Sequence, residues 1–123
     1  MINLLLIDDD ESEFRLIQRM LKDCYDHPFI LHHAHSLVEA IEFLKSYKID
    51  LILLDDKLGN GLTAKKTVPI LRAVSDVMPL VVISSIINAE HLTDKSHLDV
   101  YDIIDKYSLR ERIRGGLLSP LSA

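Results

Sequence analysis

The sequence predicts a doubly wound α/β fold, in which helices cover both faces of a five-stranded parallel sheet of order 2-1-3-4-5. Three apolar runs lack polar alternation and predict strands buried on both faces: INLLLID (2–8), LILLD (51–55) and LVVISS (80–85). Two more polar runs predict less buried or edge strands: FILHHA (29–34) and VYDIID (100–105). Segments with helical periodicity separate the runs. Right-handed crossovers between successive strands then give this fold.

Composition indicates one acidic domain. The 123 residues are 48% hydrophobic and carry a net charge of -5, which fits a single domain with one hydrophobic core and argues against a nucleic-acid surface. Cys24 is the single cysteine, so we expect no intrachain disulfide and a reducing, cytoplasmic setting. The first apolar run is short and lacks a basic leader, and no run approaches the ~18 apolar residues of a membrane span. We therefore expect neither a signal peptide nor a membrane segment.

Helix boundaries are predicted from capping patterns and from proline. Three polar pairs have the spacing at which a side chain caps a helix N-terminus: Ser36 with Glu39, Ser108 with Glu111, and Asp10 with Glu13. Pro69 in a helix interior would cost ~3 kcal/mol, so we expect its helix to begin near Thr67 or to bend at the proline. GNG (59–61) predicts a turn. Two glycines weaken the last helix and make the tail, 115–123, a candidate for fraying.

Polar side chains end the predicted strands, where ligands bind in this kind of sheet. They are Asp8 and Asp9 after the first strand, Asp55 after the third, Ser84 after the fourth, and Asp105 and Lys106 after the fifth. We expect Asp8, Asp9 and Asp55 to converge because their strands are neighbours. Clustered carboxylates raise one another's pKa unless a cation is present, and Mg²⁺ prefers such oxygen ligands.

This set of groups has the chemistry of phosphoryl transfer. Asp55 could attack phosphorus and form an acyl phosphate. The metal and the Lys106 ammonium would neutralise the phosphoryl oxygens, and the Ser84 hydroxyl would donate a hydrogen bond to one of them.

The chain resembles the receiver domains of response regulators in two-component signalling. LLLIDDD, DLILLD, PLVVIS and DIIDK look like the four sequence blocks of that family, in order and at matching separations. The resemblance covers residues 1–123 as one receiver domain with a flavodoxin-like fold. It implies a domain that takes a phosphoryl group from a sensor histidine kinase or a histidine phosphotransfer protein. Such a domain signals to a downstream effector domain or protein, and it is not an enzyme acting on other substrates.

The resemblance also implies the phospho-acceptor and the metal ligands. Asp55 would be the phospho-acceptor and a ligand of Mg²⁺ or Mn²⁺. Asp9 would bind the ion directly and Asp8 largely through water. The backbone carbonyl of Lys57 would be a further ligand.

Ser84 fills the family's switch-hydroxyl position and Lys106 fills its lysine position. Departures from the family pattern include Ile103, Tyr107 and Ile86. Ile103 replaces the usual aromatic, which puts a Tyr/Phe rotamer switch in doubt. Tyr107 replaces a proline that follows a cis peptide, so we expect a trans peptide and a reshaped loop. Ile86 offers no acid or amide to orient water, so we expect slow dephosphorylation.

In the family, helix 4, strand 5 and helix 5 form the output face, and a homodimer through that face is a further hypothesis.

Two alternative functions stay open. A pseudo-receiver would use the same fold as an unphosphorylated binding module, as the departures at Ile103 and Tyr107 allow. In a haloacid-dehalogenase-like phosphatase, Asp8, Asp10 and Ser12 would form the motif D-x-D-x-S. Asp8 would be the nucleophile and Asp10 the acid/base, but this assignment leaves Asp55 without a role. The sequence also leaves open whether the domain acts alone or within a longer protein.

Other polar residues near these motifs have simpler interpretations. We expect Asp10 to cap the first helix and Glu11 to lie on the surface. His33 and His35 share a strand face, but the sequence offers no Cys or carboxylate to complete a transition-metal site, so we interpret them as edge-strand residues.

Overall fold

Five parallel strands form the centre of the chain, in the order β2-β1-β3-β4-β5. The structure is a computed structural model that describes residues 1–58, 62–75, 78–85 and 100–121. The strands are β1 (Ile2–Ile7), β2 (Phe29–Ala34), β3 (Leu51–Asp55), β4 (Leu80–Ser84) and β5 (Asp102–Asp105). The predicted fold class is confirmed, and the third and second strands have the predicted bounds.

Helices lie on both faces of the sheet. They are α1 (Glu11–Cys24), α2 (Leu37–Ser46), α3 (Ala64–Val74) and α4 (Leu109–Arg114). Successive residues of a strand point to opposite faces, and β1 shows the consequence. Leu4 and Leu6 pack into the core with α1 and α4, whereas Leu5 and Ile7 pack into the core with α2 and α3. Apolar runs without alternation are therefore what this sheet requires.

Strand register brings the strand ends level with one another. Ile7 lies opposite Leu54, so the next residues, Asp8 and Asp55, leave the sheet side by side. Farther along the sheet, Ser84 lies opposite Asp105. The polar residues that end the strands therefore share one edge.

Two of the predicted helix caps form, and one prediction is wrong. Asp10 Oδ1 accepts hydrogen bonds from the backbone N–H of Ser12 at 2.9 Å and from its hydroxyl at 2.7 Å. Ser36 Oγ accepts from the Glu39 N–H at 3.2 Å. Ser108 makes no side-chain cap, because a 3₁₀ turn over Lys106–Ser108 leads directly into α4. The side chain of Asp105 caps that turn instead, accepting from the Tyr107 N–H at 2.9 Å.

The helix that contains Pro69 begins at Ala64, so the first of the two expectations, a start near Thr67, is wrong, and the second, a bend at Pro69, stays a prediction. The buried Asp56 carboxylate accepts from the Ala64 N–H at 3.0 Å and satisfies one of the donors that every helix N-terminus leaves unpaired. This bond favours an early start. Pro69 consequently lies inside the helix, where it offers no N–H to the carbonyl of Lys65.

Pro69→Ala is expected to raise the free energy of unfolding by ~1–2 kcal/mol. The alanine restores a helical hydrogen bond and removes the ring clash, while greater freedom of the unfolded chain offsets part of this gain. Urea denaturation measures the change. Lys66→Ala, at another exposed position of α3, is the control and should stay within ~0.5 kcal/mol of wild type. A Pro69→Ala protein no more stable than wild type would contradict this account.

The C-terminal segment continues past α4 as turns and a 3₁₀ helix, Ser119–Leu121. Gly116 has a positive φ of 102°, which suits glycine. Leu118 is buried in the core with α1 and α4. Fraying of this tail stays a prediction. Among the described residues, no helix has the length and apolar character needed to cross a membrane.

Three predicted features lie outside the residues that the structure describes. They are the turn at 59–61, Ile86 and the fourth predicted helix, which falls within 86–99. The fifth predicted helix is α4. Of the face predicted to form a homodimer, only β5 and α4 are therefore described.

Candidate functional site

Three carboxylates meet at the carboxyl ends of β1 and β3. Oxygen atoms of Asp8, Asp9 and Asp55 all lie within 4.8 Å of one another. Asp8 is 2% exposed and Asp55 is 7% exposed, whereas Asp9 is exposed. The structure thus brings together the three acids that the sequence placed at neighbouring strand ends.

Among the three carboxyl groups, Asp8 is the one whose ionisation its surroundings most strongly oppose. The pKa of this carboxyl is raised from 3.8 to about 7. Burial is the largest cause and the charge of Asp55 adds to it, whereas the hydrogen bond from Asp10 and the charge of Lys106 lower the pKa. That hydrogen bond runs from the Asp10 N–H to Asp8 Oδ1 at 2.9 Å. An ionised Asp8 is therefore costly unless a cation lies nearby.

Asp55 combines burial with a neighbouring cation. Burial raises the pKa of its carboxyl above 3.8, and the Lys106 ammonium opposes the rise. Lys106 Nζ lies 3.4 Å from Asp55 Oδ1. The Lys57 backbone N–H also donates a hydrogen bond to this carboxylate. Asp55 is thus held between an ammonium group and two further acids.

Lys106 pairs with both Asp55 and Glu13, and Glu13 was predicted only as a capping partner of Asp10. Lys106 Nζ lies 3.2 Å from Glu13 Oε1. Burial lowers the pKa of Lys106, but the charges of Asp55 and Glu13 raise it, and the net shift is upward. Helical spacing could have identified Glu13, because it lies four residues before the buried Ile17 and so faces the sheet.

The remaining predicted residues occupy distinct positions around this cluster. Ser84 is buried at the end of β4, one residue beyond the pair formed by Ile83 and Asp55. Ile103 is half-buried against the core with α2 and α3. Tyr107 is 85% exposed, and the peptide before it is trans, as predicted. The Lys57 side chain is exposed.

The donor set fits a hard divalent cation such as Mg²⁺ or Mn²⁺. Asp9 and Asp55 offer carboxylate oxygens, and Asp8 offers a third whose ionisation burial opposes. Mg²⁺ binds through one or two carboxylates and keeps several waters. A cation here would lower the cost of ionising Asp8.

The fold and this acidic cluster define a class: flavodoxin-like α/β domains with a polar site where strand order reverses. The family model of the response regulator receiver domain matches residues 4–117. The chain therefore belongs to the response regulator receiver domain family, a family of two-component signalling.

Solved structures of this fold superpose on nearly the whole chain. The phosphorylated cyanobacterial phytochrome response regulator RcpA matches with a TM-score of 0.78 and 22% identity, over 99% of this chain and 96% of its own. Vibrio cholerae chemotaxis protein CheY4 matches with a TM-score of 0.76 and 18% identity, over 99% and 97%.

A third match is the N-terminal domain of a response regulator/sensory box/GGDEF protein from Carboxydothermus hydrogenoformans. Its TM-score is 0.77 at 18% identity, over 98% of this chain and 94% of its own. No curated protein sequence matches this chain. At these identities, the structural matches establish the fold.

Proposed function

We propose that this receiver domain accepts a phosphoryl group on Asp55 from the phosphohistidine of a sensor histidine kinase or histidine phosphotransfer protein. One observation carries the proposal. The buried Asp55 carboxylate lies within 4.8 Å of the carboxylates of Asp8 and Asp9 and 3.4 Å from the Lys106 ammonium. A nucleophile, a cation site and a fixed positive charge therefore surround one point.

The reaction forms one bond and breaks one. An Asp55 oxygen attacks phosphorus, the phosphorus–nitrogen bond to imidazole breaks, and the histidine leaves with the electron pair of that bond. Asp8, Asp9, Asp55 and the Lys57 carbonyl would hold Mg²⁺ or Mn²⁺, which when bound neutralises charge on the phosphoryl oxygens.

Lys106 and Ser84 would stabilise the phosphoryl group from the protein side. The Lys106 ammonium, which now pairs with both Asp55 and Glu13, would move to contact a phosphoryl oxygen. The Ser84 hydroxyl, at the end of the neighbouring strand, would donate a hydrogen bond to another oxygen. Dephosphorylation would be slow because Ile86 cannot orient water.

The output is proposed to pass through a protein-interaction face of the fourth predicted helix, β5 and α4. Its partner would be a downstream effector domain or protein, or a second copy of the chain. Ile103 cannot act as an aromatic rotamer switch, so the switch would rest on Ser84 and on the loop at Tyr107. We place this signalling in the cytoplasm, with no role for nucleic acid or membrane binding in this domain.

The phosphatase alternative is disfavoured by the position of Asp10. That carboxylate caps α1, and its hydrogen bonds with Ser12 lower its pKa, which does not suit a general acid. Multiple turnovers of a phosphate ester that depend on Asp8 rather than Asp55 would reverse this judgement.

Acetyl phosphate with Mg²⁺, followed by intact-mass measurement, tests the proposed function. We expect one adduct of about 80 Da, the mass of a phosphoryl group. Chelation of the metal should prevent the adduct from forming, because the three acids then repel the incoming phosphoryl oxygens. An absent adduct, or equal formation with and without chelator, would overturn the proposal. Absence in folded protein would instead support an unphosphorylated binding module.

A further inference from the structure

A second set of metal-ligating side chains lies beside the first, at the carboxyl end of β2. One ligand atom from each of Glu11, His33 and His35 lies within 4.8 Å of the other two. His33 is on β2, His35 follows the strand, and Glu11 is the first residue of α1. Glu11 is exposed, as expected. The expectation that no carboxylate completes a set with the two histidines is wrong, because the N-terminus of α1 brings the Glu11 carboxylate to them.

The distances resemble those of ligands around one small ion. Glu11 Oε2 lies 3.0 Å from His35 Nε2 and 3.6 Å from His33 Nδ1. Two ligands at ~2.0–2.1 Å from a tetrahedral Zn²⁺ are about 3.3 Å apart. Small side-chain movements would therefore close the three groups on a metal.

The second nitrogen of each ring faces an acceptor. His33 Nε2 lies 2.8 Å from the Asp8 carbonyl, which can only accept, so Nε2 donates this hydrogen bond and Nδ1 is left to face Glu11. His35 Nδ1 lies 3.5 Å from Glu39 Oε1. Metal-binding histidines usually donate their other N–H to a carbonyl or carboxylate, which fixes the ring orientation.

Packing holds the inner histidine in place. The His33 side chain is 8% exposed. Its ring stacks on Phe14 at a centroid distance of 4.6 Å and an interplanar angle of 2°. The ring centroids of His33 and His35 are 4.0 Å apart. This ligand is therefore preorganised rather than free to rotate in solvent.

We propose that Glu11, His33 and His35 bind a transition-metal dication, for which Zn²⁺ is the best fit. Two imidazoles and one carboxylate suit Zn²⁺ and other first-row metals, whereas the oxygen-only cluster of Asp8, Asp9 and Asp55 suits Mg²⁺. Three protein ligands leave one coordination position for water or for a partner's side chain. The His33 bond to the Asp8 carbonyl links the two sites directly.

Without metal, the same contacts form a surface ion-pair cluster. The hydrogen bond with Glu11 raises the pKa of His35, and Glu39 adds to this effect. A surface ion-pair cluster would not bind one equivalent of zinc. Zinc binding therefore distinguishes a metal site from an ion-pair cluster.

Calorimetric titration with Zn²⁺ in saturating Mg²⁺ tests the proposal, because Mg²⁺ occupies the acidic cluster. We expect one equivalent to bind. His35→Gln and Glu11→Gln, both at exposed positions, should each weaken binding at least tenfold, since each removes a ligand. His27→Gln, at an exposed histidine away from the cluster, should leave the affinity for Zn²⁺ unchanged. The absence of zinc binding, or equal binding by His35→Gln and wild type, would overturn the proposal.

Side-chain ¹⁵N NMR of the histidines identifies the ligand atoms. Zinc should shift His33 Nδ1 and His35 Nε2 much more than the opposite nitrogens. Zinc-induced shifts confined to His27, or no shift of any histidine nitrogen, would also refute the site. Neither measurement uses a phosphoryl donor, so the outcome is independent of Asp55 phosphorylation.

Discussion

Asp55→Asn is expected to abolish the phosphoryl adduct completely, whereas Asp56→Asn is expected to retain it. The two acids are consecutive and both buried, but their surroundings differ. Asp55 faces Asp8, Asp9 and the Lys106 ammonium. Asp56 Oδ1 accepts from the Ala64 N–H at the start of α3. Asp55→Asn and Asp56→Asn are therefore the same substitution at neighbouring buried acids, and Asp56→Asn is the matched control.

Asparagine is suited to this comparison because it has the shape of aspartate and lacks its nucleophilic carboxylate. At position 56 its Oδ1 can still accept from the Ala64 N–H, so the start of α3 is preserved. At position 55 an amide cannot form the acyl phosphate. Loss of the negative charge also removes one proposed metal ligand.

The comparison uses intact mass after equal exposure to acetyl phosphate and Mg²⁺, with circular dichroism to confirm folding. Wild type and Asp56→Asn should both carry the adduct of about 80 Da. A full adduct on Asp55→Asn would place the acceptor elsewhere. Loss of the adduct in a folded Asp56→Asn protein would show that the second acid takes part in the chemistry.

The sheet could be predicted because each strand carries its own signal. Leu51–Asp55 and Leu80–Ser84 are apolar runs that must be covered on both faces, and their polar ends mark where the chain leaves the sheet. The cluster of Asp8, Asp9 and Asp55 follows from strand order alone, since parallel strands present their carboxyl ends at one edge.

Contacts between helices and strand ends could not be predicted in the same way. The pair of Lys106 with Glu13 joins residues 93 positions apart, and the pair of His35 with Glu11 depends on how α1 leaves β1. These contacts depend on helix rotation and side-chain rotamers, which the apolar pattern does not specify. The start of α3 was missed for the same reason, because the bond from Ala64 to Asp56 spans a loop.

Asp8→Asn is expected to stabilise the metal-free protein at pH 8 by ~1–3 kcal/mol. The pKa of Asp8 rises from 3.8 to about 7 on folding, a shift worth at most about 4 kcal/mol. A carboxyl whose pKa is raised favours the folded state while it is protonated. That contribution is complete below pH 3.8 and is lost as the pH rises through about 7. At pH 8 the ionised Asp8 therefore opposes folding, and asparagine removes the charge.

The hydrogen bond at this position survives the substitution, since asparagine Oδ1 can accept from the Asp10 N–H as Asp8 Oδ1 does. The advantage of Asp8→Asn should therefore come from charge alone. It should shrink toward zero as the pH falls from 8 to 4, where wild-type Asp8 is itself neutral. Urea denaturation without metal at both pH values measures this change. A variant less stable than wild type at pH 8 would show that the ionised Asp8 carboxylate does not lower the free energy of unfolding.

Added Mg²⁺ should reverse the order of stability. A ligand at 100 times its dissociation constant stabilises the folded state by about 2.7 kcal/mol. The wild-type protein should gain this stabilisation from Mg²⁺, whereas Asp8→Asn should gain little of it. Asp9→Asn is the matched control. Asp9 is exposed, so its loss should change metal-free stability by less than ~0.5 kcal/mol and still weaken stabilisation by Mg²⁺. Equal gains from Mg²⁺ in wild type and both variants would mean that the ion binds elsewhere. The cost of the buried charge at Asp8 would then be the physical basis for the proposed metal binding.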